Sequence, residues 1–284
     1  MTNRGAAGFI PLPGRPRSAA FSGASAEKAP TVSNSMAKKN TGGWAESIKT
    51  VVYAGLIAIG IRTVAFEPFN IPSGSMIPTL LVGDYLFVSK YSYGWSRFSL
   101  PFSPNLFEGR LFGRLPDRGD VAVFRWPRDN TTDYIKRIVG LPGDRVQMRA
   151  GQLYINGAQV PRQPAGEYMG RDGTDFLARR YVETLPPPGG GQHSILKMTE
   201  EGPANNTPEF RVPDGHVFAM GDNRDNSSDS RFALHHNGVG FIPVQNLIGR
   251  AEFIFFSIDA RAPWWQVWQW PFEIRWNRLL HGIS

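Results

Sequence analysis

Asp133-Tyr134-Ile135-Lys136-Arg137-Ile138-Val139-Gly140-Leu141-Pro142-Gly143-Asp144 reads as a β-strand that ends in a Pro-Gly-Asp turn. Alternation puts Tyr134, Lys136 and Ile138 on one face of it. A lysine held among apolar side chains is chemically distinctive, because desolvation penalises the ammonium and lowers a pKa ordinarily near about 10.4. Such a residue offers a neutral amine able to take the proton of a hydroxyl. The plain alternative is a strand-edge lysine whose ammonium reaches water.

The same pattern runs outward along the chain. From Pro68 onward, short apolar or alternating runs at 85–88, 121–124, 145–148, 152–155, 216–220 and 249–258 stand between clusters of Gly, Pro and Asp. These predict strands and a mainly β fold class. Asn156-Gly157 predicts a hairpin joining Leu153-Tyr154-Ile155 to Gln159-Val160. Between 161 and 211 polarity and Pro/Gly content rise, with Pro186-Pro187-Pro188-Gly189-Gly190-Gly191 inside, which suggests a less regular inserted subdomain. The core is thus expected over 67–160 and 212–262.

The N-terminal 43 residues are rich in Gly, Ala, Ser and Pro without apolar periodicity and read as a flexible tail, and Met36 before Ala37-Lys38-Lys39 resembles a natural start. Residues 44–66 read as a transmembrane anchor. The helix from Thr50 to Phe66 would span about 25 Å, short of a hydrocarbon core of about 30 Å, and snorkelling by Lys49 and Arg62 can close the gap. A buried amphipathic helix or a removed signal peptide is the alternative. Phe66-Glu67-Pro68-Phe69 offers no small-x-small cleavage site, which favours a retained anchor. Arg4, Arg15, Arg17, Lys28, Lys38, Lys39 and Lys49 precede it, so the N-terminus is expected in the cytoplasm and the remainder outside a bacterial plasma membrane. At the other end, residues 263–284 gather Trp264, Trp265, Trp268, Trp270 and Trp276 beside Phe272, Arg275 and Arg278. That composition suits docking on membrane lipid, with ordinary core packing as the alternative.

Composition narrows the chemistry. The formal charge is +7, yet only 19% of residues are charged and no long Lys/Arg block occurs, which argues against nucleic acid as a partner. Cysteine is absent, which removes thiol nucleophiles and thiolate metal sites, and the five histidines show no metal-ligand spacing. No cofactor and no metal are implied.

Two further stretches carry polar chemistry. In Ser73-Gly74-Ser75-Met76 a glycine between serines permits a tight turn that exposes one hydroxyl and directs N–H groups toward a shared point, although Ser-Gly-Ser is also a common loop. Met220-Gly221-Asp222-Asn223-Arg224-Asp225-Asn226-Ser227-Ser228-Asp229-Ser230-Arg231 is dense enough in Asp, Asn and Ser to build a hydrogen-bonded loop. A calcium loop fits poorly, because Arg224 occupies the third position from Asp222 and Ser227 stands where the EF-hand needs glycine.

In order and at domain-scale separations, these three stretches together resemble bacterial type I signal peptidase over about residues 44–260. The resemblance implies an antiparallel, barrel-like catalytic β core with an inserted second β region, preceded by one membrane helix. It implies a serine endopeptidase that trims signal peptides from exported preproteins after small, alanine-like residues. Carried onto this sequence, Ser75 is the nucleophile and Lys136 the general base, while the Ser75 N–H and the Ser73 hydroxyl form the oxyanion hole. Ser227 would orient the lysine amine, with Asp229 and Arg231 behind it. Substrate would lie extended against Phe69, Ile71, Pro72, Met76, Asp133 and Ile135, its backbone bound and its alternate side chains sampled by pockets. The sequence departs from the family after Arg231, where residues 232–241 are longer than the usual aromatic-glycine link, and in having a single anchor. A Ser-His-Asp triad using His216, a catalytically silent tethered β domain, and a Ser/Lys peptidase dedicated to one envelope substrate stay open as alternatives.

Overall fold

The computed structural model describes residues 43–100, 103–105, 107–170, 176–259, 268 and 270–284. The chain divides into two compact units, Met1–Ser47 and Ile48–Ser284, and of the first only the start of helix α1 is described. The anticipated tail, the Met36 start, Trp264 and Trp265 lie outside the described residues.

Helix α1 runs Gly43–Val64, and its stretch Trp44–Arg62 is apolar and long enough to cross a membrane, with none of it buried against the other described residues. It ends two residues before the expected boundary, because Phe66 already pairs with Ser89 in the first strand. Strands follow in chain order: β1 Phe66–Asn70, β2 Asp84–Ser89, β3 Trp95–Ser96, β4 Arg110–Leu111, β5 Val121–Arg125 and β6 Asp133–Gly140. Next come β7 Arg145–Arg149, β8 Gln152–Ile155, β9 Ala158–Gln159, β10 Arg162–Gly170, β11 Phe176–Leu185 and β12 Gly191–Lys197. The last are β13 Phe210–Arg211, β14 His216–Met220, β15 Ile242–Pro243, β16 Leu247–Ser257 and β17 His281–Gly282.

Eight strands form one antiparallel sheet in the order β1-β2-β16-β5-β6-β14-β15, with β17 joined to β16. Period-two burial explains the arrangement. In β2, Leu86 and Val88 point into a core shared with Ile71, Met76, Leu80, Val121, Val123 and Ile254, while Tyr85 and Phe87 face outward. The central strand β5 is buried on both faces, Val121 and Val123 in that core and Ala122 and Phe124 in a second one with Tyr134, Ile138 and Val217. The predicted Asn-Gly hairpin is present: Asn156 and Gly157 both adopt positive φ, and Tyr154 pairs with Gln159. That turn twists with the strands it joins.

Residues 161–211 correct one expectation. They are built around a regular antiparallel meander, β10-β11-β12, and the Pro/Gly-rich stretch supplies the connection 186–190 between β11 and β12 and the first residue of β12.

Candidate active site

Ser75 sits in the single 3₁₀ turn Gly74–Met76 between β1 and β2. The turn is pinned from inside by Met76, which is fully buried, so the neighbouring Ser75 is carried toward β6. On β6, Lys136 pairs across the sheet with Ala122 and is only 3% exposed. Its Nζ donates to Ser75 Oγ at 2.8 Å and to the Ile135 carbonyl at 2.9 Å, and lies 5.4 Å from the centre of the Tyr134 ring. Burial draws the Lys136 ammonium down to about 8, against the opposing pull of the Asp229 and Asp222 carboxylates. Ser73 Oγ lies 3.4 Å from Ser75 Oγ.

The polar loop after β14 packs behind this pair. Asp229 is fully buried and accepts from the Gly221 N–H at 3.0 Å and from Arg231 Nε at 2.9 Å and Nη2 at 2.8 Å. Burial alone would raise the Asp229 carboxyl, yet Arg231 and the Gly221 N–H hold it below the usual carboxylate range. Ser227 Oγ is buried with no hydrogen-bond partner, and Lys136 Nζ takes its acceptors from Ser75 and Ile135.

Four residues that sequence reasoning did not single out complete the arrangement. Asn223 donates its N–H to the Ser75 carbonyl and its Nδ2 to the Gly74 carbonyl, both at 3.1 Å. A Cβ at Gly221 would collide with Ser227 Oγ and the Ser75 carbonyl, so only glycine lets the loop approach the serine turn. Arg137 grips Asp222 through Nε and Nη2, each at 2.8 Å, both side chains being almost wholly buried. Asp222 and Asn223 stand beside residues already singled out, but their partners are 85 and about 150 positions distant, which no local pattern reveals.

Ser75 and Lys136 open onto a cleft of about 420 Å³. Phe69, Ile71, Pro72, Ser73, Asp133 and Ile135 line it, as do Asn226 and Ser228; Met76 does not, since it belongs to the core. No histidine lines the cleft, and His216 Nδ1 lies 3.0 Å from the Asp214 carbonyl on its own strand's approach. Among the described residues β1 pairs only with β2, and β14 pairs with β6 only from Arg137 onward. The Asp133–Lys136 edge of β6 therefore pairs with no strand on the cleft side, where the Ile135 carbonyl accepts from Lys136 Nζ, and is suited to an extended peptide.

A family model described as signal peptidase, peptidase S26, matches residues 44–256. The chain is 44% identical over 217 residues to the signal peptidase I of Rickettsia typhi, covering 74% of this chain and 78% of that one. To the signal peptidase I of Rickettsia conorii it is 40% identical over 246 residues, covering 80% and 88%. A solved signal peptidase I of Enterococcus faecalis overlaps with a TM-score of 0.27 at 25% identity, over 48% of this chain and 97% of that one.

Proposed function

The chain belongs to the signal peptidase family, peptidase S26, which makes it a serine endopeptidase that removes signal peptides, and we propose that Ser75 and Lys136 perform the cleavage. The observation that carries this is the 2.8 Å contact between Lys136 Nζ and Ser75 Oγ in a cleft able to hold a peptide strand. With a pKa of about 8, roughly a tenth of Lys136 is neutral at pH 7, against well under a thousandth for an ordinary lysine. The neutral amine accepts the Ser75 proton as Oγ attacks the scissile carbonyl. The oxyanion that forms is met by the Ser75 N–H and the Ser73 hydroxyl. The resulting ammonium then protonates the leaving amine, and the amine, neutral again, activates the water that hydrolyses the ester.

Substrate is a preprotein whose signal peptide lies extended between β1 and the free edge of β6, near Phe69, Ile71, Pro72, Asp133 and Ile135. The modest size of the cleft and its apolar walls favour small residues before the cleaved bond. Helix α1 is the anchor. Its 19-residue apolar stretch of about 28 Å is not buried by the described residues, and the basic residues before it put the N-terminus in the cytoplasm.

Detergent-solubilised enzyme incubated with a preprotein should release one fragment whose new N-terminus follows an Ala-x-Ala-like stretch. The kcat/KM profile should rise with pH to an apparent pKa near about 8. Ser75→Ala and Lys136→Met should each abolish turnover, and so should Lys136→Arg, since guanidinium keeps its proton. Activity surviving in the Met variant would overturn the dyad.

A further inference from the structure

The chemistry above makes no use of the inserted meander, yet the polar loop is seated on the edge of β12 that does not pair with β11. The Leu196 N–H donates to the Asp222 carbonyl at 2.9 Å, and the Leu196 carbonyl accepts from the Arg224 N–H at 3.0 Å, so the loop extends the meander by a parallel bridge between Leu196 and Asn223. The Leu196 side chain is fully buried and shares a core cluster with Ala178 of β11 and with Ile77, the residue that follows the serine turn. One residue of β12 thus touches both halves of the site.

Two buried charge pairs fasten the loop at the same edge. Arg224 grips Glu183 of β11 through both terminal nitrogens, Nη1 at 2.9 Å, and His193 Nε2 lies 3.5 Å from the same carboxylate. Burial would raise the Glu183 carboxyl, but Arg224 and His193 hold it well below the usual range, so it keeps its charge. Lys197 donates to Asp225 Oδ1 at 2.9 Å, and the Met198 and Thr199 N–H groups close on Asp225 Oδ2 at 2.7 and 3.0 Å. A buried ion pair contributes little net stability, since desolvation offsets most of the attraction, but it tolerates only a narrow range of geometries. Here that geometry fixes residues 222–225, and Asn223 among them holds the serine turn. Arg231 links the same residues to the rear of the site, donating to the Arg224 carbonyl through Nη2 and to Asp229 through Nε and Nη2.

We propose that Glu183, Leu196 and Lys197 of the meander are positioning residues for cleavage, which set the polar loop, and through it Asp229 and the serine turn, in the relation to Lys136 that the reaction needs. This rests on the reading of Ser75 and Lys136 as the catalytic pair. The strands that bind the peptide, β1 and β6, make none of these contacts, so loosening the clamp should act on kcat more than on KM.

Kinetics of the full chain against pH supply the test. Glu183→Gln keeps the shape of the side chain and removes its charge; kcat should fall roughly ten- to a hundredfold while KM changes far less. The carboxylates that pull the Lys136 amine upward are Asp229 and Asp222, and Asp222 is held separately by Arg137. A loop that drifts takes Asp229 away from Lys136, so the rising limb of kcat/KM, near about 8 in wild type, should move to lower pH. His193, held below the ordinary imidazole value by burial and by Arg137, does not titrate in that range. A mere loss of folded protein would lower the rate at every pH and leave the limb in place.

Lys197→Met is the second variant, since Asp225 keeps the Met198 and Thr199 N–H groups and Asn205 Nδ2 as partners and the fold survives without the lysine. It should show the same displaced limb. Val160→Ala, buried in the core with Val146 and Leu153, is the control, and should lower the melting temperature without moving the limb. A limb that moves in only one of the two loop variants would assign the positioning to that residue and remove the other. Limbs unmoved in both, with wild type rising near about 8, would overturn the positioning role and leave the catalytic pair standing. A wild type without that limb would overturn both.

Discussion

The Asn223 side chain donates to the Gly74 carbonyl while its backbone N–H donates to the Ser75 carbonyl, so one residue holds both peptide units at the serine turn. The turn is only three residues long and carries no side-chain cap of its own. Its geometry is therefore imposed from the loop 149 positions away. Asn223→Ala removes the Gly74 bond, worth about 1 kcal/mol, so stability should fall by about that much, and if the loosened turn loses the same amount at the transition state kcat/KM should fall about fivefold. Asn223→Asp should be worse, because it sets a buried carboxylate against a carbonyl oxygen. Steady-state kinetics on a peptide substrate decide both, and an Asp variant as active as wild type would refute the positioning role.

The Arg137–Asp222 pair should behave as a structural lock. Both side chains are buried, and Thr79 Oγ1 adds a hydrogen bond to Asp222 at 2.5 Å. Removing one partner of such a pair strands the other charge and costs about 3–5 kcal/mol, so Asp222→Ala should lower the urea midpoint strongly. Burial would raise the Asp222 carboxyl, but Arg137 holds it below the ordinary value of 3.8. The stabilisation is present above that value and disappears as pH falls through the depressed pKa. Wild type should thus lose this contribution in strong acid, and Asp222→Asn should show a shallower acid dependence.

Much of this arrangement was legible because one face of each core strand is apolar. The boundaries of β6, β8 and β14 agree with the sequence pattern to within a residue. The meander β10–β12 was not, since β10 buries little beyond Gly170 and the buried positions of β11 and β12 include Glu183, His193 and Lys197, which breaks any apolar alternation. In the site, Ser75 and Lys136 stood out by motif. The partners Arg137 and Asp222, and Asn223 with Gly74, join residues far apart in the chain, and only the folded sheet brings them together.

A buried lysine kept short of protons leaves a signature in stability. The folded pKa of Lys136 is about 8 against 10.5 for the free side chain, so the unfolded chain binds the proton more tightly. Folding is penalised fully below about 8, by an amount on the order of 3 kcal/mol at pH 7, and the penalty is gone above about 10.5. Lys136→Met fills similar space without a charge. Its urea midpoint should exceed that of wild type at pH 7, with the difference shrinking as pH rises toward 10. A difference independent of pH would mean that Lys136 titrates normally.

Ser227 separates function from stability most sharply. Its hydroxyl is buried without a partner, and an unsatisfied buried hydroxyl costs about 1–3 kcal/mol. Its contact with the buried Asp229 carboxylate, which helps to hold that carboxyl low, offsets part of this cost, so Ser227→Ala should raise the melting temperature by less than the full penalty. The hydroxyl sits beside Gly221, whose missing side chain lets Ser227 and the Ser75 carbonyl come close together. When Ser75 moves onto a substrate carbonyl, the amine loses its hydroxyl acceptor and needs another, a place that the Ser227 hydroxyl behind the serine turn is expected to take. The alanine variant should therefore be more stable yet slower, with a fall in kcat exceeding any change in KM and a rising pH limb displaced from that of wild type. Ser227→Thr, which keeps the hydroxyl, should recover part of the rate. A variant both stabilised and fully active would show that the hydroxyl has no part in the reaction.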